Sequence, residues 1–467
     1  MYLRPDSQTR LVLGDSGRGA LYDLRSGRVY WLDAASVNAL LGLALPPGIQ
    51  GESEELPEPY GSVARSMIDK GLGQFSSIPV ANDWVHWPHT RTYNPRSAVG
   101  IRPSLAWLEV EAGCNLRCSH CYGSFGPDLI SSRLRIASVT EERRPAVRLT
   151  PTDWLSAIEQ LAELRPVEES PRLVFIGGEP YLNPGLETLM ESAVRLGFAV
   201  EVFSAGYPLR DANVQFLRTH GITYATTVYS HSASRHDAVT GREGSHARLV
   251  RNLRKLLDAG VTVRVEMVLM RINQEDHERT RHWLADIGVQ LGPPDPVRLK
   301  GRANESLLPE LQWEVKYWQT APRFRTSVSS FEKALAGNPC WAGELAVTSG
   351  GDVLPCIFER KKVVGNILRS SLKEILYGDS SRLLPLWSMT KDSIAACSGC
   401  EFRYCCGDCR VLGADETCDA NWEKTPRCTY DPVVGVWEAP KSASLRAQGP
   451  NNSMQRTALR AAADAER

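Results

Sequence analysis

The placement of the twelve cysteines constrains this 467-residue chain more than any other feature. Three lie within residues 114–121 and the other nine within residues 340–428. The opening MYLRPDSQTR lacks an apolar signal core, and no stretch approaches about 18 consecutive apolar residues. A reduced, cytoplasmic compartment with no membrane partner is therefore expected. Dense thiols there read as metal ligands first and as disulfides second. The 54 Lys and Arg balance the 54 Asp and Glu, which removes the electrostatic footprint of a nucleic-acid binder.

Along the chain, two short alternating runs, Gly19–Leu24 and Arg28–Leu32, flank Gly27 and predict a hairpin. Asp33 is placed to cap a helix over Ala34–Leu43, and a second helical pattern covers Ser62–Leu72 after a Pro/Glu-rich break at Pro46–Pro59. Phe75–Ser104, rich in Pro, Asn, Trp and Arg, reads as a linker. From residue 105 to 310 strand and helix patterns alternate. Strands are expected at Leu105–Val110, Leu173–Ile176, Ala199–Phe203, Thr223–Tyr229, Val261–Met270 and Val297–Leu299. Thr150 with Pro151, Asn183 with Pro184, Ser245 and Asn273 open the intervening helices, and Gly197, Gly260 and Gly288 suit their ends. Such units predict an α/β fold with a parallel sheet whose ligands sit at the carboxyl ends of the strands.

Directly after the first of these strands comes Cys114-x3-Cys118-x2-Cys121. Thiolates suit iron–sulfur clusters and zinc, but a structural zinc site wants four protein ligands, and His120 is too close to supply a comfortable fourth. The spacing, its place after the first strand and His120 before the last cysteine resemble the radical S-adenosylmethionine (radical SAM) enzymes. That resemblance implies a partial (β/α)6 TIM-like barrel over residues 100–310. It also implies that Cys114, Cys118 and Cys121 hold a 4Fe–4S cluster whose open iron binds S-adenosylmethionine (SAM). At the end of the second strand, Gly177-Gly178-Glu179-Pro180 looks like the family segment that binds the SAM amino group. Tyr122, Ser204 in Ser204-Ala205-Gly206, Ser230 and Arg242 are carried over as further SAM contacts, and Gly301-Arg302-Ala303 resembles a recurrent segment of unassigned role.

The later cysteines resemble the SPASM extension of the same enzymes, which holds two auxiliary 4Fe–4S clusters. By that resemblance Cys397, Cys400, Cys406 and Cys428 hold one cluster, and Cys340, Cys356 and Cys409 most of the other. The spacing before Cys409 is x2 where x3 is commoner, and Cys405 and Cys418 are extra. Either of these completes the inner cluster, or that cluster keeps an open iron. Structural zinc is the alternative for the C-x2-C pairs.

The hairpin and helix of Ala20–Ala34 look like a small winged-helix-like α+β element of the kind that binds precursor-peptide leaders as an added strand at a sheet edge. An ordinary cap on the barrel is the plainer possibility. Four segments are thus expected: residues 1–95 for leader recognition plus linker, 100–310 for the radical SAM core, 325–436 for the auxiliary clusters, and a disordered tail over 437–467. The favoured activity is peptide maturation with formation of a thioether or carbon–carbon crosslink, with a flavodoxin or ferredoxin as electron donor. Two alternatives remain open at this level: action on a folded protein or small cofactor precursor, and a non-catalytic iron–sulfur or zinc regulatory module.

Overall fold

Alternating and continuous apolar runs build two different kinds of sheet. A computed structural model describes residues 1–46, 48, 56–79, 81–131, 148–166, 170–310, 312–313, 324–407, 409–413, 424–425 and 428–437. Cys418 and nearly all of the expected tail lie outside the described residues. Those described fall into two units, one of residues 1–100, 319–342 and 385–440, the other of 101–318 and 343–384. Among them no helix is long and apolar enough to cross a membrane.

In the first unit the expected hairpin is part of a larger sheet. Its strands are β1 (Tyr2–Pro5), β2 (Thr9–Leu13), β3 (Gly19–Asp23) and β4 (Arg28–Leu32), followed by α1 (Ala34–Ala44), α2 (Tyr60–Asp69), β5 (Gly73–Ser76) and β6 (Val85–His86). The order is β4-β3-β2-β6, with β2–β3 and β3–β4 antiparallel and β6 parallel to β2, while β1 pairs β5 separately. Sequence reasoning missed β1 and β2, and β6 lies inside the stretch read as linker. Two-residue strands carry no periodicity to read. Central β3 buries both faces, as its period of two allows. Leu21 joins Leu11, Val37, Leu40 and Leu43 under the helices. Ala20 and Tyr22 join Val12, Phe331, Phe402, Tyr404 and Tyr430 on the other face, with Cys400, Cys405 and Cys428 packed against them. The α1 start follows expectation, the Asp33 carboxylate accepting from Ser36 N at 2.8 Å.

Arg403 ties the N-terminal sheet to the cysteine segment. Fully buried, it donates to the carbonyls of Leu13 at 2.8 Å, Cys400 at 2.9 Å, His86 at 3.1 Å and Trp87 at 2.9 Å, and to the Asp392 carboxylate at 3.0 Å. Removing a buried cation's partners costs about 3–5 kcal/mol, so sheet and cysteine segment depend on one another.

The second unit is the parallel sheet. Strands β7 (Leu105–Glu111), β8 (Arg172–Gly177), β9 (Ala199–Phe203), β10 (Thr223–Thr227) and β11 (Val263–Glu266) lie side by side in chain order, all parallel. Beyond them β12 (Val268–Leu269) pairs in parallel with β13 (Asp295–Pro296). These six successive βα-type positions form the partial barrel. Three details differ from expectation. The fifth strand is split at Met267 into β11 and β12. The last pairs at Asp295–Pro296 rather than Val297–Leu299, with Asp295 N and Val297 N donating to the carbonyls of Met267 at 2.9 Å and Leu269 at 3.0 Å on either side of Pro296, which has no N–H to give. The fourth stops at Thr227. Also unforeseen is β14 (Glu344–Val347), which lies parallel to β7 on its far side, followed by antiparallel β15 (Asp352–Leu354) and β16 (Gly365–Asn366). The segment around Cys356 therefore extends the barrel sheet.

Thr150 caps its helix (Pro151–Leu164) in a capping box with Asp153, as the sequence indicates. The helix after Asn183 starts at Leu186, and the one after Asn273 starts at His277, each after a turn of 3-10 helix.

Candidate active site

The carboxyl ends of the barrel strands line one cavity of about 410 Å³. Cys114, Cys118, Cys121 and Tyr122 come from the loop after β7, Gly177 and Gly178 from β8, and Ser204, Ala205 and Tyr207 from the turn after β9. Thr226, Thr227 and Tyr229 follow from β10, Glu266 and Met267 from β11, and Asp295 and Arg298 from β13. Apolar wall is added by Trp107, Phe125, Phe203, Ile357 and Phe358.

The cysteine loop is held by backbone bonds from several elements. Arg117 N and Ser119 N donate to the carbonyls of Thr240 and Val239, at 2.9 Å each, at the end of the helix Ala233–Thr240. Cys114 N donates to Gly126 O at 3.2 Å, and Arg302 N to Cys121 O at 3.0 Å. Gly113 N is fixed by the Glu111 carboxylate at 2.7 Å, which also accepts from Arg148 at 3.1 Å.

The glycine pair has a reason the sequence did not disclose. A Cβ at Gly177 would lie 2.3 Å from Glu111 O, and one at Gly178 would lie 2.1 Å from Gly113 O. These glycines let β8 come against the backbone that carries the cysteines, and only then face the cavity.

Glu179 and Pro180 stand behind the wall rather than on it. The Glu179 carboxylate is completely buried, accepting from Ser204 Oγ at 2.7 Å and from the amides of Ala205 and Tyr181 at 3.1 Å. Burial pushes its pKa up to about 7 despite those donors. Glu179 thus shapes the Ser204–Gly206 turn, where Gly206 N donates to Ser204 Oγ at 2.8 Å.

Two residues carried over as SAM contacts also lie off the wall. Ser230 is fully buried, bonded to Asp276 and accepting from Ser232 N. Arg242 donates to Asn115 O at 2.9 Å and to the Tyr207 hydroxyl at 2.7 Å. The guanidinium that does line the cavity near there is Arg248, 4.0 Å from the centre of the Tyr207 ring, with Ser245 beside it in sequence register. Pattern matching picked the neighbours because the residues on the wall belong to the following helix, Ser245–Asp258.

The three thiols suit a soft metal cluster. Burial pushes Cys114 and Cys118 up to about 12, and the neighbouring cysteines add to the rise, so the free chain holds neutral thiols whose protons a cluster would displace. His120 is pushed down to about 4 by burial and by the Arg302 charge. It packs edge-on against Tyr229 at 5.0 Å. Among the described residues no three Cys, His, Asp or Glu side chains gather as a single ion requires.

Of the later cysteines, Cys397, Cys400, Cys405, Cys406, Cys409, Cys428 and Cys340 belong to the first unit and Cys356 to the second. All eleven described cysteines are free of disulfides. Cys405 donates to Phe402 O at 3.4 Å and packs under Tyr22 in the sheet core.

Comparison with known proteins agrees with this site. Residues 108–284 match the radical SAM superfamily, and residues 340–401 match SPASM, an iron–sulfur cluster-binding domain. The subtilosin biosynthesis protein AlbA of Bacillus subtilis is 24% identical over 327 residues, covering 67% of this chain and 68% of AlbA. An AdoMet-dependent heme synthase of Methanosarcina barkeri is 23% identical over 360 residues, covering 70% and 96%. Among solved structures, Streptococcus suis SuiB bound to its precursor peptide SuiA is similar with a TM-score of 0.51 at 15% identity, over 91% of this chain and 99% of SuiB. The chain is a radical SAM enzyme with a SPASM extension, and its cofactors are SAM with a 4Fe–4S cluster together with auxiliary iron–sulfur clusters.

Proposed function

We propose that this enzyme modifies a ribosomally made precursor peptide by hydrogen-atom abstraction, installing a thioether or carbon–carbon crosslink. The observation that carries the reading is the extent of the likeness to SuiB. It runs over 91% of the chain and 99% of SuiB, and so takes in part of residues 1–99 as well as the barrel. Edge strand β4 fits a leader peptide added as a further strand. It ends the sheet, bridged only at Arg28 by Arg325 among the described residues, and Trp31 is 52% exposed while donating to Glu401 Oε1 at 3.0 Å. In this reading residues 1–95 recognise the leader, 100–310 form the core and 325–436 hold the auxiliary clusters. Cys397, Cys400, Cys406 and Cys428 hold one of these, and Cys340, Cys356 and Cys409 most of the other. A flavodoxin or ferredoxin supplies electrons.

Cys114, Cys118 and Cys121 hold the first cluster. A cluster held there would supply one electron to SAM, whose C5′–S bond would break to give methionine and the 5′-deoxyadenosyl radical that abstracts hydrogen from the substrate. The protein's own work is placement and exclusion of water. Tyr122, Gly177, Gly178 and Ser204 form the wall that receives SAM, with Glu179 and Pro180 fixing it from behind. Arg242 orients Tyr207, and Arg248 stacked on the same ring brings a cation suited to the SAM carboxylate. Trp107, Phe203, Ile357 and Phe358 keep the radical's surroundings apolar.

A second reading, action on a small cofactor precursor, is favoured by the 96% coverage of the heme synthase. The maturase reading expects a short open reading frame beside the gene, and co-expression with the peptide it encodes, followed by tandem mass spectrometry, separates the two. A crosslinked peptide supports maturation. An unmodified peptide, with 5′-deoxyadenosine still formed, overturns it.

A further inference from the structure

Arg302 has no assigned role, yet both its backbone and its side chain are bonded to the cysteine loop. Its amide donates to Cys121 O at 3.0 Å and its Nε to Cys118 O at 2.9 Å. Gly301 makes this approach possible. Its φ is +61°, and a Cβ there would lie 2.2 Å from Cys121 O and 2.4 Å from Tyr122 O. The guanidinium lines the cavity, and its Nη2 is buried with no hydrogen-bond partner among the described residues. A buried donor of this kind is costly unless something in the cavity accepts from it.

We propose that Arg302 is a positioning residue that raises the reduction potential of the SAM-binding cluster, by fixing the backbone of Cys118 and Cys121 and aiming a permanent positive charge at the cluster. The inference rests on the assignment of Cys114, Cys118 and Cys121 as its ligands. The sign follows from electrostatics. Reduction adds one electron to the cluster, and a cation in a partly buried site favours the more negative form. Groups outside the ligand shell tune metal sites in this way.

The test is an anaerobic, EPR-monitored redox titration of the full-length reconstituted enzyme, comparing wild type with Arg302→Gln and Arg302→Lys. The signal that changes on adding SAM identifies the relevant cluster, and the auxiliary clusters serve as internal references. In Arg302→Gln the SAM-binding cluster should be assembled but at least tenfold harder to reduce, about 59 mV for one electron. Arg302→Lys, which keeps the charge, should recover most of the difference, and the references should not move. Four results would overturn the proposal. They are an unchanged potential in Arg302→Gln, an equal fall in Arg302→Lys, a shift present only with SAM bound, and loss of the cluster in both variants. The last would mark a purely structural role. If the SAM-responsive signal survives in Cys114→Ala, the ligand assignment fails instead, independently of Arg302.

Discussion

Gly178→Ala is the substitution for which the geometry makes the sharpest demand. The new Cβ would lie 2.1 Å from Gly113 O, 2.6 Å from Gly113 C and 3.0 Å from Ala112 O. Comfortable contact lies near 3.5 Å, so the two backbones must part by roughly 1.4 Å. No side chain can yield, because the atoms met are all main chain. Parting them breaks the bonds from Gly178 N to Glu111 O at 2.7 Å and from Glu179 N to Gly113 O at 2.9 Å. Two lost hydrogen bonds and the overpacking together cost about 3–5 kcal/mol. The strain falls on the residue preceding Cys114. A misplacement of about 1 Å in a reacting site can cost on the order of 100-fold in rate. Gly178→Ala should therefore lower 5′-deoxyadenosine formation about 100-fold, measured by chromatography after anaerobic reduction with SAM, together with a fall in iron bound at the first cluster. Gly292→Ala is the control, since nothing lies within 4 Å of a Cβ there. If Gly178→Ala retained wild-type iron content and cleaved SAM within twofold of wild type, the account of why β8 carries two glycines would be wrong.

Three further outcomes are expected. Cys114→Ala, Cys118→Ala or Cys121→Ala should each abolish SAM cleavage while the auxiliary iron stays bound, checked by iron analysis beside the product assay; cleavage in any of them would refute the ligand assignment. Trp31→Ala should weaken leader-peptide binding by about tenfold in calorimetry, a loss of about 1.4 kcal/mol, and unchanged affinity would move leader recognition away from β4. Glu179 gives a pH signature. Its folded pKa is pushed up to about 7 from an ordinary 4.5, so the folded chain holds a proton that the unfolded chain has released between those values. Stability should fall as pH rises through that window, by on the order of 3 kcal/mol in full. Between pH 4.5 and 7 wild type should lose more melting temperature than Glu179→Gln, and parallel profiles would contradict the burial argument.

Much of the barrel was legible because continuous apolar runs such as Leu173–Ile176 and caps such as Thr150-Pro151 are local signals. The cysteine spacing was legible for the same reason, since one loop carries all three cysteines. What escaped was set by distant parts of the chain meeting. Glu344–Val347 pairs with Leu105–Leu108 across more than two hundred residues, and nothing in either run names the other. Arg403, buried against the carbonyls of Leu13 and His86, reads in sequence as an ordinary charge between cysteines. Arg248 was passed over in favour of Arg242 because both precede or open the same helix, and only its docking decides which one reaches the cavity. The extra Cys405 was ambiguous by spacing. Its thiol turns toward Phe402 O and Tyr22 in the sheet core.

The central claim is that a radical SAM site and a peptide-binding sheet work together on one precursor. The most direct measurement is anaerobic incubation of the full-length reconstituted enzyme with SAM, reductant and the leader-bearing precursor, reading 5′-deoxyadenosine and peptide mass in the same sample. The account predicts 5′-deoxyadenosine together with a peptide lighter by two hydrogens, and tandem mass spectra that place the new bond in the core. A core of unchanged mass beside abundant 5′-deoxyadenosine would contradict it.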